Sequence, residues 1–134
     1  MARLNVEIVT PEKRVVQVQA DEAIVPGAEG LFGVRPGHTP FLSLVEPGPL
    51  TIKDGANQQT FFIAGGFAEV ASDKITVLAD HAEAIAAIDV EDARRRLEEA
   101  QERMKGLSAE DARYQIESAT VKRETARMAL ARRA

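Results

Sequence analysis

Cysteine and tryptophan are absent from this 134-residue chain, and aromatic residues make up only 4% of it. Without cysteine the protein can form neither a disulfide framework nor a thiolate metal site. Histidine is scarce as well, since His38 and His81 are its two examples. Because catalysis needs a nucleophile, a base or a metal held in a shaped pocket, this supply of side chains favours a binding or coupling module over an enzyme.

Long apolar runs are also missing. The longest stretch without a charged residue, 55–68, has fourteen residues, several of them polar, which is too short for a transmembrane helix. The first residues show neither the basic-then-apolar order of a signal peptide nor an arginine-rich transit pattern. The net charge of −4 argues against nucleic acid as the main partner. We therefore expect a soluble protein that stays in the compartment where it is made.

Glycine and proline are concentrated in residues 25–40, which hold four glycines and three prolines. Such a segment cannot be a helix, because proline lacks the amide donor and glycine costs backbone entropy. The stretch predicts a short strand between two shaped turns that together present a surface. A phosphate-binding loop is excluded, because no Gly-Lys-Ser/Thr follows and no helix begins after the glycines.

Up to about residue 85 the hydrophobic period is two. Short alternating or apolar runs are separated by turn signals such as Asp54-Gly55 and Gly65-Gly66. The runs are Leu4–Ile8, Val16–Val18, Phe41–Val45, Leu50–Ile52, Thr60–Ala64, Phe67–Val70 and Ile75–Ala79. Many short strands without an intervening helix predict an antiparallel sandwich or barrel.

Beyond Ala82 the pattern becomes helical. Apolar or small residues recur every three or four positions and form one face of a first helix, which we call its seam: Val90, Ala93, Leu97, Ala100, Met104 and Leu107. Asp89 is placed to cap this helix and Gly106 to end it. A second helix is predicted from Ser108, with the seam Ala109, Ala112, Ile116, Ala119, Arg123, Ala126 and Leu130. The short connection makes the two helices antiparallel. Since alanine dominates the second seam, we expect a marginal hairpin that docks on the sandwich or on another protein and is able to leave.

The last seventeen residues carry five basic side chains and one acidic side chain, Glu124. One reading is a solvated helix end whose cations suit the helix dipole. The other is a basic tip that binds an acidic partner.

Several of these segments together resemble the ε subunit of bacterial and plastid F-type ATP synthases, which matches the mitochondrial δ subunit. The most distinctive stretch is Pro26–Pro40, and the opening Val6–Glu12 is similar to the first strand and turn of that family. Pro47-Gly48, Gly65–Val70 and Ile75–Ala82 match in order and spacing. Specific motifs cover the first 85 residues, whereas the remainder matches in architecture.

The resemblance implies a β-sandwich of about ten antiparallel strands over residues 1–85, followed by an antiparallel two-helix hairpin over residues 86–134. It implies a non-catalytic rotor subunit of the central stalk, which couples c-ring rotation to ATP synthesis through γ. The implied partners are the γ subunit, the c-ring and, through the helices, the β and α subunits. Nucleic acid and direct membrane insertion are not expected. The implied location is the cytoplasmic face of a bacterial inner membrane, or the thylakoid of a plastid.

The family also implies site residues. Glu29, Leu31 and His38 match the loop that contacts the c-ring and γ. Many bacterial members have a glutamate where Leu31 stands, so an ion pair with a ring arginine is lost here. The hairpin is regulatory in the family, and Arg123 and Arg127 match the basic residues that approach an acidic segment of a β subunit and block ATP hydrolysis.

Some members bind ATP through a motif at the start of the first helix. Its counterpart here is Ile88-Asp89-Val90-Glu91-Asp92-Ala93, in which Asp92 replaces the motif arginine. A phosphate would meet repulsion at Asp92 instead of attraction. We therefore expect weak or absent ATP binding and no cofactor, although Arg94, Arg95 and Arg96 are close in sequence.

Two other classes of protein remain as alternatives. One is a β-sandwich enzyme with a helical dimerisation arm, against which the shortage of histidine and cysteine argues. The other is a membrane-surface protein that uses its basic last helix, for which Ala126, Ala129 and Leu130 offer little apolar area.

Overall fold

The computed structural model describes residues 2–133. The chain divides into two compact units, and the boundary lies between Ala84 and Ile85. The first unit is made of strands and the second of helices. The predicted fold class, a β-sandwich of about ten strands followed by a two-helix hairpin, is confirmed.

Ten short strands build the first unit. They are β1 (Leu4–Val9), β2 (Arg14–Ala20), β3 (Glu22–Gly27), β4 (Gly30–Val34), β5 (Phe41–Val45), β6 (Gly48–Asp54), β7 (Asn57–Ile63), β8 (Gly66–Ala71), β9 (Lys74–Ala79) and β10 (Ala82–Ala84). Their order in the sheet is β10-β7-β6-β3-β5-β8-β9-β1-β2, and β4 pairs with β3 outside that path.

One strand pair departs from the predicted antiparallel arrangement. Within residues 2–133, β1 and β9 run parallel, with Val6 opposite Ile75, while the other pairs are antiparallel. The prediction of antiparallel strands throughout is therefore wrong for this pair. A parallel pair needs a long connection, so no local turn signal encodes it.

Inward-facing side chains fill the space between the two layers of the sandwich. Alternate residues of β1 and β9 are fully buried, namely Leu4, Val6, Ile8, Ile75 and Val77. The predicted alternation is weaker in β2, where Val16 is partly buried and Val18 is exposed. This strand lies at the end of the sheet, so it has a neighbour on one side only.

Arg3 ties two distant turns together at one end of the sandwich. Its Nη1 donates to Asp21 Oδ1 at 2.9 Å, and its Nη2 donates to Asp54 Oδ1 at 2.8 Å. Asp21 Oδ2 also accepts a hydrogen bond from the Gly55 amide at 2.6 Å. The β2–β3 connection is thereby held against the β6–β7 turn.

The glycine- and proline-rich segment forms, as predicted, a short strand, β4, between two turns. The strand before it, β3, was not predicted, because it contains Pro26 and proline ordinarily argues against a strand. Pro26 pairs with Leu31 of β4, and its carbonyl accepts a hydrogen bond from the Glu46 amide at 2.8 Å. The carbonyl of the proline therefore still takes part in the backbone hydrogen bonding.

The second unit contains a 3-10 turn (Ile85–Ala87), α1 (Val90–Met104) and α2 (Ala112–Ala131). Asp89 caps α1 as predicted, since its Oδ1 accepts a hydrogen bond from the Asp92 amide at 3.0 Å. Gly106, with φ of +79°, follows the end of α1. The predicted start of α2 at Ser108 is wrong. Asp111 is the cap and accepts from the Arg113 amide at 2.8 Å.

The buried face of α2 also differs from the predicted seam. In α1 the seam is confirmed by the buried Ala93 and Ala100, although Val90 is exposed. In α2 the seam residue Leu130 is buried as predicted, but the seam residue Ile116 is 64% exposed, and Glu124 and Arg127, which lie outside the seam, are buried. The buried face near the end of α2 therefore includes the positions one residue after the seam residues Arg123 and Ala126. Charged side chains that pair with one another lie where apolar ones were expected.

Gly66 permits a close approach between β8 and β9. A Cβ at this position would lie 2.0 Å from the Leu78 carbonyl oxygen, and φ is +139°. We predict that Gly66→Ala lowers the free energy of unfolding of the sandwich by about 3 kcal/mol or more, measured by urea denaturation. Gly30→Ala is the control, because Gly30 has φ of +119° and no atom within 4 Å of a Cβ. Equal losses in the two variants would contradict the steric explanation.

Candidate functional site

The turn between β3 and β4 presents two of the predicted site residues. Glu29 lies in this turn and is exposed, and Leu31 near the start of β4 is 66% exposed. The Ala28 amide donates to the Leu44 carbonyl at 3.0 Å, so the turn is anchored to β5. Glu29 and Leu31 therefore form one exposed tip on a fixed backbone.

His38 lies apart from this tip, because it follows the far end of β4. The Gly37 amide donates to Asp73 Oδ1 at 2.6 Å, which ties this connection to the β8–β9 turn. The His38 ring packs edge-to-face against Phe41, with 6.1 Å between ring centroids. The structure thus brings Glu29 and Leu31 together and places His38 in a separate part of the segment.

The outer face of β5, β8 and β9 carries an apolar surface that the sequence analysis did not identify. We call it the β5–β8–β9 patch, made of Leu42, Leu44, Phe67 and Leu78, which are between 50% and 66% exposed. Leu44 is opposite Phe67, and Phe67 is opposite Leu78, so the three side chains form a row across three strands. A groove lined by Val9, Pro11 and Pro47 adjoins that row.

A sequence signal for the patch does exist. The run Phe41-Leu42-Ser43-Leu44-Val45 is nearly continuous in apolar residues, which is typical of a strand covered on both faces. Here Val45 is buried in the core, whereas Leu42 and Leu44 on the opposite face are exposed. Exposed apolar residues grouped in this way are typical of an interaction surface.

Charged side chains join α1 and α2 near the open end of the hairpin. Arg127 Nη1 lies 2.9 Å from Asp92 Oδ2 and 3.0 Å from Glu124 Oε1. Asp92 also accepts from Arg96 Nε at 2.9 Å and from Arg95 Nη2 at 2.6 Å. The side chains of Glu124 and Arg127 are 4% and 10% exposed. We call Asp92, Glu124 and Arg127 the hairpin charge cluster.

A second ion pair joins the helices near their connection. Arg103 Nε of α1 lies 3.1 Å from Glu117 Oε2 of α2. The hairpin is therefore joined by charges at both ends, with the small side chains Ala93 and Ala100 buried between them. This arrangement explains how a seam with so little apolar volume forms a defined contact.

The cluster defines the surroundings of the predicted regulatory arginines. Arg123 Nε donates to Glu124 Oε2 at 3.0 Å, and its side chain is 37% exposed. Arg127 is almost fully enclosed by its carboxylate partners. In this conformation only Arg123 of the two is open to a partner, and their contact with a β subunit stays a prediction.

The degenerate ATP motif has structural roles in this fold. Ile88 and Ala93 are buried, and Asp89 caps the helix. The Asp92 carboxylate holds the three nearby guanidinium groups of Arg95, Arg96 and Arg127. Each of these guanidinium groups has an intramolecular carboxylate partner, and weak or absent ATP binding stays a prediction.

Two negative findings apply to residues 2–133. No helix in this range is long and apolar enough to cross a membrane. Within the same range no group of three or more histidine, aspartate or glutamate side chains is arranged to hold a metal ion.

We predict an acid-sensitive hairpin. The hydrogen bond from Arg127, followed by those from Arg96 and Arg95, lowers the pKa of Asp92 to about 2. A carboxyl group whose pKa falls on folding stabilises the folded form above its unfolded pKa of about 3.9, and this contribution is lost as the pH falls towards 2. NMR titration of the Asp92 carboxyl should give a midpoint near 2.

Helical circular dichroism melts provide the companion measurement. Asp92→Asn should weaken the acid dependence between about pH 4 and pH 2. Glu91→Gln, which removes an exposed carboxylate paired with Arg94 within α1, is the matched control and should retain it. A normal titration midpoint for Asp92 would show that the cluster does not form in solution.

Comparison with known proteins identifies the family. Residues 3–85 match the model of the ATP synthase, Delta/Epsilon chain, beta-sandwich domain. The ATP synthase epsilon chain of Myxococcus xanthus is 66% identical over 131 residues, which cover 98% of this chain and 96% of the relative.

Two solved structures share the fold. A chain in the cryo-EM structure of the Euglena gracilis mitochondrial ATP synthase has a TM-score of 0.80 at 22% identity, covering 96% of this chain and 81% of that one. A chain from the central stalk and c-ring structure of the Tetrahymena thermophila enzyme has a TM-score of 0.62 at 18% identity, covering 95% and 97%. The family resemblance is confirmed, and the chain belongs to the ATP synthase epsilon chains, which are non-catalytic subunits of that complex.

Proposed function

We propose that this protein is a rotor subunit of the central stalk of a proton-translocating F-type ATP synthase. It couples c-ring rotation to ATP synthesis through γ, and its C-terminal hairpin restrains ATP hydrolysis. The observation that carries the stalk role is the exposed β5–β8–β9 patch on the sandwich of an epsilon chain. The related chain of Tetrahymena thermophila comes from a central stalk and c-ring assembly, which supports the proposal.

The β5–β8–β9 patch is the proposed binding surface for γ. A row of three large apolar side chains exposed to water is unfavourable, and burial recovers about 25 cal/mol for each Å² covered. Glu69 is exposed and lies opposite Leu42 at the edge of the patch. The matching surface on γ should therefore be apolar with a basic side chain at its border.

The tip formed by Glu29 and Leu31 is the proposed contact with the c-ring. Both side chains project from a turn that is anchored to β5, so the contact can transmit force without bending the loop. His38 would take part from the opposite end of β4, in a flanking position. The proposed location is therefore peripheral, on the cytoplasmic face of a bacterial inner membrane or on the thylakoid of a plastid.

The hairpin is the proposed regulatory element. Arg123 and Arg127 would bind carboxylates of a β subunit and so hold the rotor when ATP is hydrolysed. Arg127 is held by Asp92 and Glu124 in the present conformation. The inhibitory contact through Arg127 therefore requires a rearrangement of the hairpin.

Substitutions in the β5–β8–β9 patch test the γ contact. Leu44→Ser and Phe67→Ser should each weaken binding of the full chain to purified γ at least about tenfold, because they remove apolar area from the centre of the surface. Binding can be measured by surface plasmon resonance. Val18→Ser on the edge strand β2 is the control, since Val18 is exposed but lies outside the patch. Unchanged affinity in both patch variants would refute the proposed surface.

Removal of the hairpin tests the regulatory role. An assembled complex that carries the chain truncated after Ala84 should hydrolyse ATP faster than the complex with the full chain, while the sandwich still binds γ. The steady-state ATPase rate is the measurement. An unchanged rate would refute the inhibitory role. It would not bear on the stalk role, which the γ-binding experiment tests.

A further inference from the structure

Arg127 has carboxylate partners on both helices of the hairpin. Glu124 is three residues away on α2, whereas Asp92 belongs to α1. Of these two contacts, the one with Asp92 depends on the helices being together. In the conformation that has this contact between the helices, 10% of the Arg127 side chain is exposed.

The cluster can separate into two halves that each keep opposite charges. On α1, Asp92 retains Arg95 and Arg96, which lie three and four residues further along the same helix. On α2, Glu124 retains Arg123 and Arg127. Breaking a buried ion pair is costly chiefly when one charge is left without a partner. Separation here leaves neither carboxylate alone, so the Asp92 contact is readily exchanged for another carboxylate.

We propose that Asp92 masks Arg127 and competes with an acidic peptide segment of a partner for the same guanidinium group. This inference rests on the proposed regulatory role of the hairpin. Arg123 is one turn away and 37% exposed, so it offers an approaching carboxylate a first contact beside the cluster. The equilibrium between the masked and bound forms then sets how much of the protein can inhibit.

Binding of a fluorescent poly-glutamate peptide to the full chain tests the masking directly. Asp92→Asn should bind the peptide about fivefold more tightly than the matched control Glu117→Gln at low ionic strength. Both variants lose one negative charge and one ion pair between the helices, but only Asp92→Asn removes the α1 partner of Arg127. Adding Arg127→Gln to Asp92→Asn should abolish the gain. Equal affinities of Asp92→Asn and Glu117→Gln would overturn the proposal.

A second measurement uses the unmutated chain and so does not depend on how a variant folds. Saturating peptide at pH 7 should shift the NMR signal of the Asp92 carboxyl carbon, because Arg127 leaves it. An unchanged Asp92 signal under saturation would also overturn the masking.

The ATPase activity of the assembled complex separates this inference from the proposed function. Asp92→Asn should lower the rate relative to Glu117→Gln, because Arg127 is available more often. If truncation after Ala84 leaves the rate unchanged, the inhibitory role fails, and the peptide experiments still decide whether Asp92 masks Arg127. If truncation raises the rate but the peptide affinities are equal, inhibition stands and masking is wrong.

Discussion

The burial of alternate side chains from β1 and β9 between the two layers is the constraint on which the sandwich depends. These strands come from opposite ends of the first unit in sequence and pair in parallel, so their contact joins the β1–β2 pair to the rest of the sheet over a common core. A sheet held in this way keeps the outward positions of β5, β8 and β9 in fixed register. The exposed row of Leu44, Phe67 and Leu78 is a consequence of the same alternation that builds the core.

The hairpin is stabilised in a different way. Its buried residues in α1 and α2 are Ala93, Ala100, Leu130 and the charged pair Glu124 and Arg127, and charges pair between the helices at both ends. Breaking a buried ion pair is costly chiefly when one charge is left without a partner, and here each half of the cluster keeps an opposite charge. We therefore propose different tasks for the two units: the sandwich offers a fixed surface, and the hairpin a contact that a competing carboxylate can replace.

Much of the fold could be predicted from local patterns. Alternation in Leu4–Ile8 and Ile75–Ala79, the cap at Asp89 and the helix end at Gly106 each depend on neighbouring residues, and the structure agrees with them. The parallel β1–β9 pair and the strand around Pro26 depend on distant segments, which a single sequence does not reveal. The face of α2 was mistaken because the seam was chosen for apolar spacing, whereas Glu124 and Arg127 are buried through their partners.

In the candidate site, too, some features follow from local sequence and others depend on contacts between distant segments. The exposure of Glu29 in the β3–β4 turn and of Leu31 near the start of β4 agrees with the surface that the glycine-rich motif predicted, whereas their contacts stay a prediction. The β5–β8–β9 patch depends on which strands are neighbours, and the enclosure of Arg127 depends on contact with Asp92 on another helix. Such properties arise from the tertiary structure and could not be taken from spacing alone.

We propose that γ covers the β5–β8–β9 patch in the assembled stalk. Since the chain has no cysteine, a single cysteine introduced at Glu69 beside the patch can be labelled without ambiguity. The maleimide labelling rate of this variant should fall at least about tenfold when the chain is assembled with γ, because a covered interface excludes the reagent and the solvent. A labelling rate that is the same in the free and the assembled chain would contradict the account.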